Sequence, residues 1–306
     1  MRHRARAGAR WANLLTSFLD DIAGIGQNTQ LALAGCTLFG GVAGAVGTFV
    51  LARRRALLAD VAGHASLPGV CVAFLIGESL GIGGRTPWLL LAGAAISALL
   101  AAWCVPLLAR LRGIGPDGAV AVTLSFFFGL GTVLLSSVQS HASGSQGGLR
   151  SLLFGSAAAT NRGDIIALAT LAFAALVVLI ALFKEFSALA FDEQHAQSLG
   201  LPVRTLDLVL MVLLVATVVS GMQVAGIVLV VALLVTPAAA ARAFRGSIAR
   251  VTAIGAIIGA LSAAIGVILS LRFEELPTGS AMTLAATAIF FVTLLLPGRM
   301  MRGALT

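Results

Sequence analysis

Apolar residues run along this chain in blocks of about 20, separated by short polar or arginine-bearing stretches. Blocks of that length fit helices crossing ~30 Å of hydrocarbon, whereas barrel strands would alternate over about ten residues. Nine candidate spans follow, over residues 28–52, 56–79, 86–109, 118–138, 163–183, 204–221, 223–241, 247–271 and 280–297, the sixth and seventh nearly fused. Gly40 with Gly44, and Gly255 with Gly259, make small-x-x-x-small faces that let helix backbones approach closely. The pattern predicts an all-α, polytopic membrane helix bundle of eight or nine transmembrane helices.

Composition removes the soluble alternative. Of 306 residues, 59% are hydrophobic and 10% charged, against about 25% charged in soluble domains. The net charge of +8 rests on arginine, Lys184 being the only lysine. The arginines stand at the ends of apolar runs, where they anchor topology; a nucleic-acid partner is not expected. Cys36, Cys71 and Cys104 lie inside apolar runs without metal-finger spacing.

Positive charge also orients the chain. Arg53, Arg54, Arg55, Arg110, Arg112, Lys184, Arg204, Arg242, Arg245, Arg250, Arg299 and Arg302 fall on one side, and Arg85, Arg150, Arg162 and Arg272 on the other. The first set belongs in the cytoplasm. An odd span count then puts the basic residues 1–10 outside, against the same rule. Either residues 1–27 lie along a membrane surface or the first span is mis-drawn. The bundle is 28–298 and residues 299–306 are a cytoplasmic tail.

Two connections are longer than they need to be. The outer loop, 139–162, carries a Ser/Gly-rich tract over 140–148. The inner one, within 184–203, reads as a short polar helix from Asp192 to Gly200, with Gly200 as its stop and Pro202 just beyond. A docking surface for a soluble partner is the sharper reading of that helix, and a surface-lying connector is the other.

The polar residues of the second span carry the chemistry. On an ideal helix Asp60, His64, Cys71 and Glu78 sit at about 0°, 40°, 20° and 0°, all on one narrow face. Asp60 and His64 are one turn apart and can reach one ion. His64 lies about 13 Å beyond Arg55, near mid-membrane. Burying a central acid costs ~2.5–3.5 kcal/mol on insertion scales, so such residues usually mark an ion path. Carboxylate and imidazole together suit Mn²⁺, Fe²⁺ or Zn²⁺. The other reading is a hydrogen bond between the two inside the bundle. Cys71 could add a soft ligand, although a packed core cysteine fits it better. Glu78 stands near the outer mouth, and Gln223 is the polar residue opening the seventh span. His141 could catch a metal on entry or be an ordinary loop residue, and His195 lies in the inner loop. Thr236-Pro237 marks a kink or helix end, and Asp164 and Asp207 sit at span ends with no special role.

No Walker-type loop is present, because Lys184 follows Phe183 rather than a glycine-rich turn. Nucleophile-elbow and His-Glu-x-x-His motifs are also missing from the sequence. The chain is expected to be a transport subunit, not an enzyme.

The segment from Arg54 to Val70, with Asp60, Gly63-His64-Ala65 and Pro68-Gly69, resembles the signature of the zinc/manganese/iron ABC importer permease family. Leu152–Ser156 looks like that family's outer-loop motif, and Phe191-Asp192-Glu193 through Pro202 like its coupling-helix region. Gln223 to Arg242 is similar to its C-terminal block, and Leu276-Pro277-Thr278-Gly279 to its last outer loop. The resemblance covers residues 28–298. Gly63 departs from the Ser or Ala usual before the histidine, and the 140–148 tract and basic 1–10 extension are also unusual. The resemblance implies a type II ABC importer permease fold, in the bacterial cytoplasmic (inner) membrane. It implies two permease copies with a pathway between them, a cytoplasmic ATP-binding subunit dimer, and an extracytoplasmic metal-binding protein. Asp60 and His64 map onto its Asp-x-x-x-His pair. Asp192, Glu193, Ala196 and Gly200 fall in its coupling region, 188–202. No permanently bound cofactor is implied, only a transported Mn²⁺, Zn²⁺ or Fe²⁺. A self-sufficient, ion-coupled secondary transporter is the alternative; it predicts an internal repeat and ionisable groups spread over several spans.

Overall fold

The computed structural model describes residues 27–81, 86–141, 162–244, 246–273 and 276–295. The N-terminal segment, the 140–148 tract beyond His141, the Leu152–Ser156 motif and the C-terminal tail lie outside the described residues. Among the described residues every regular element is helical: α1 Gln27–Ala52, α2 Ala56–Ser79, α3 Pro87–Leu108, α4 Pro116–His141, α5 Arg162–Ala181, α6 Phe183–Phe191, α7 Glu193–Ser198, α8 Val203–Ala225, α9 Ile227–Arg242, α10 Ile248–Arg272 and α11 Thr278–Leu295. Eight of them are long and apolar enough to cross a membrane.

The ninth apolar helix, α9, has 16 residues, about 24 Å of helix against ~30 Å of hydrocarbon. The sequence pattern starts this span at 223. The helix break falls instead at Gly226, whose φ of 83° suits only glycine well and separates α8 from α9. Pro237 sits inside α9, which runs on to Arg242, so Thr236-Pro237 does not end it. At its far end α9 shares a shallow cavity with the end of α1 and with α6, lined by Ala52, Phe191, Arg242 and Gly246. At the other end, Gly279 opening α11 packs on the Ala225 backbone closing α8. The ends of α1 and α9, at Ala52 and Arg242, therefore share one side.

α1 is the hub, packed against α5, α8, α9 and α10, with Phe39, Val46 and Phe49 fully buried. Its two glycines meet the two of α10: a Cβ on Gly40 would strike the Gly259 carbonyl, and one on Gly44 the Gly255 carbonyl. Gly69 of α2 and Gly93 of α3 interlock in the same way. In lipid, where apolar burial drives no association, such close van der Waals packing holds helices together. A second, smaller core joins α2, α3 and α4 through Val61, Ala65, Ala101, Val105 and Ala119. Trp103, Phe126, Phe173 and Leu284 point outward, as befits a surface solvated by acyl chains.

Candidate functional site

The base of α2 is built by an arginine turn. Arg55 N–H donates to the Val50 carbonyl (2.9 Å) and Arg54 N–H to that of Leu51 (3.1 Å). These are the two bonds of a Schellman helix stop, with Arg54 at φ 55° where glycine is the usual occupant. From this turn α2 rises with Ala59, Val61, Ala62, Gly63 and Ala65 buried against its neighbours. The pattern leaves Asp60 and His64 on the remaining face.

There the structure brings the pair together. His64 Nε2 lies 3.5 Å from Asp60 Oδ1, with the side chains 21% and 44% exposed respectively. The distance is at the outer edge of hydrogen bonding. The His64 ring stands edge-on to Phe128 of α4, centroids 5.1 Å apart, which fixes its orientation. One turn further on, Pro68 is inside the helix and has no N–H to offer the His64 carbonyl. The pair thus faces outward from this one chain, beside α4.

The other candidate residues fall elsewhere. Cys71 is 0% exposed, packed in the main core. The ideal wheel puts it beside His64, but neighbouring helices enclose that stretch of α2. Glu78 is exposed at the end of α2. Gln223 lies in the last turn of α8; its side chain and that of His141 are outside the described residues. Among the described residues no three His, Cys, Asp or Glu side chains form a metal-holding group. Transition metals take four or more donors, more than the Asp60–His64 pair alone could offer.

The inner connection is two helices. α6 continues from α5 after a break at Leu182 and buries Phe186 and Leu189. Asp192 then caps α7, its Oδ1 accepting from Gln194 N–H at 2.8 Å and His195 N–H at 3.4 Å. Ala196 is the buried residue of α7. Gly200, at φ 76°, ends it, with Gly200 N–H donating to Gln197 and Leu201 N–H to Ala196. Glu193 reaches Arg53 at 2.9 Å.

Asp207 is the residue the sequence reading passed over. It accepts from Arg55 Nη2 at 2.8 Å and from Arg53 Nη2 at 3.2 Å. Its partners lie in the turn before α2, more than 150 residues away along the chain, so no local signal marks it.

The fold and these residues can be set beside known proteins. The model of the ABC 3 transport family matches residues 26–297. The chain belongs to that family. Its members are membrane permease components of ABC-type divalent-metal transporters, and the chain is one of them, a polytopic helical protein of the inner membrane. It is 40% identical over 268 residues to the manganese transport system membrane protein MntC of Bacillus subtilis, covering 88% of this chain and 60% of that protein. It thus spans less than two thirds of that relative's length. The zinc transport system membrane protein TroC of Treponema pallidum is 32% identical, with 85% of this chain and 86% of that one covered. Among solved structures, PsaBC from Streptococcus pneumoniae in complex with Fab superimposes with a TM-score of 0.79 at 30% identity, covering 92% of this chain and 96% of that one.

Proposed function

We propose that this chain is the membrane-spanning subunit of an ATP-driven importer, and that Asp60 and His64 are where its cargo, Mn²⁺ in the first instance, is held in transit. The observation that carries the reading is the 3.5 Å Asp60–His64 pair, partly exposed on a stretch of α2 whose neighbours Ala59, Val61, Ala62, Gly63 and Ala65 are buried. A carboxylate and an imidazole suit Mn²⁺, Zn²⁺ and Fe²⁺, and the manganese in the Bacillus relative's name favours the first. Two donors per chain support a second copy supplying the rest, so that the ion passes between two permeases. Glu78, exposed at the end of the same helix, and Gln223 are assigned to the outer approach. A separate ATP-binding dimer docks on α7, through the face that Asp192, Glu193, Ala196 and Gly200 shape, and an extracytoplasmic metal-binding protein delivers the ion. The test is Mn²⁺ uptake by the permease with its ATP-binding partner in liposomes. His64→Ala is expected to lower uptake at least about tenfold while the complex still assembles; uptake at the wild-type rate would remove the site assignment.

A further inference from the structure

The α1–α2 turn makes polar contacts far outside its own hairpin. Arg53, 13% exposed at the side chain, spends one guanidinium on three elements. It donates to the Leu189 carbonyl of α6 at 3.3 Å, to Glu193 of α7 at 2.9 Å and to Asp207 of α8 at 3.2 Å. Arg55 donates to the other Asp207 oxygen at 2.8 Å. Two cations and two carboxylates thus close a charge-balanced network, and the Arg53 end of it is shielded from water.

The partners are 136 to 154 residues from the arginines along the chain. The network therefore holds elements that the backbone leaves independent. Its arginines are the last residues before α2, held to α1 by the Schellman bonds. From Arg55 the helix reaches Asp60 in about 7 Å and His64 in about 13 Å. Planar guanidinium forks keep a fixed geometry with carboxylates, which an ammonium cannot do. A displacement of α7 pulls on Glu193 directly, and a tilt of α8 pulls on Asp207. Both reach the first turn of α2.

We propose that Arg53, Arg55, Asp207 and Glu193 form a coupling strut: positioning residues that carry movement of α7 to the base of α2 and so to the Asp60–His64 pair. The inference rests on the reading of that pair as the ion's resting place. It assigns a role to Asp207 and to the arginine turn beyond topology anchoring.

The experiment measures Mn²⁺ taken up and ATP hydrolysed in the same liposomes, with the full chain and its ATP-binding partner. Asp207→Asn is expected to hydrolyse ATP within about twofold of wild type yet move at least about fivefold less Mn²⁺ per ATP. Asp207→Glu, which keeps the charge, is expected to recover most of the ratio; a purely packing role for Asp207 would not separate the two. Mn²⁺ per ATP unchanged in Asp207→Asn overturns the proposal. Should Asp207→Asn fail to assemble, Arg53→Lys and Arg55→Lys, which keep the charge but lose the planar fork and lie off the docking face, take its place. A wild-type ratio in both again overturns it. Failure of the underlying reading looks different: His64→Ala would then keep wild-type Mn²⁺ uptake, whatever the strut variants do.

Discussion

Gly44 and Gly255 touch backbone to backbone. A Cβ on Gly44 would sit inside the Gly255 carbonyl, and rigid main chain cannot yield as a flexible side-chain tip does. Gly44→Ala is therefore expected to destabilise the bundle by about 1–3 kcal/mol, the usual cost of overpacking. Gly41, three residues earlier on the same helix, is the control. Its Cβ would meet Ala256 and Ala260 at 3.5 and 3.6 Å, ordinary contact, so Gly41→Ala should be nearly silent. Thermal unfolding in detergent compares them; equal midpoints for the two variants would mean that α1 and α10 do not approach this closely.

Cys71 separates a helix-wheel argument from a packed structure. It is 0% exposed, in the core cluster that also holds Val70, Phe74 and Ala94. Cys71→Ala is expected to leave Mn²⁺ uptake within about twofold of wild type, with a small loss of thermal stability from the cavity. A large rise in the Mn²⁺ concentration needed for half-maximal uptake would instead put the sulfur in the path.

These two cases show where sequence and structure part. Asp60 and His64 were legible because an i, i+4 spacing on one helix fixes their proximity without any tertiary information. The spans were legible because hydrocarbon thickness dictates their length, and the Gly200 stop because only a few residues tolerate positive φ. Cys71 was not legible, since the wheel angle is a property of α2 alone while burial is set by the helices around it. Asp207 was hidden for the same reason: its arginines lie more than 150 residues away in sequence, and nothing local marks a distant salt bridge. The helix α6 was also hidden: the sequence pattern ends the span at 183 and picks out only the polar helix from Asp192, whereas the chain breaks at Leu182 and forms a separate helix over Phe183–Phe191.

Asp192 has a local duty that can be tested apart from transport. Its carboxylate accepts two backbone N–H groups at the start of α7, and losing such a cap costs about 1 kcal/mol. In a six-residue helix that is enough to raise the open population roughly fivefold. Asp192→Ala should therefore speed amide exchange at Gln194 and His195, and Asp192→Ser should restore much of the protection. Unchanged exchange would mean that α7 is held by the Glu193–Arg53 contact and the buried Ala196 alone.

Gly200 gives the sharpest contrast of conformation against space. Its φ is 76°, while nothing lies within 4 Å of where a Cβ would stand. Any effect of substitution must then come from the backbone. Left-handed geometry costs most residues about 1–2 kcal/mol, and asparagine less. Gly200→Ala and Gly200→Val are expected to loosen the Leu201–Ala196 bond that ends α7 and to lower Mn²⁺ uptake per ATP. Gly200→Asn, larger than alanine but tolerant of this region, should lie closer to wild type. The order of the variants is the test: if loss of coupling follows side-chain size, the residue matters as a contact surface for the docked partner. If it follows left-handed propensity, it matters as the stop that fixes where α7 ends and how Glu193 is presented to Arg53.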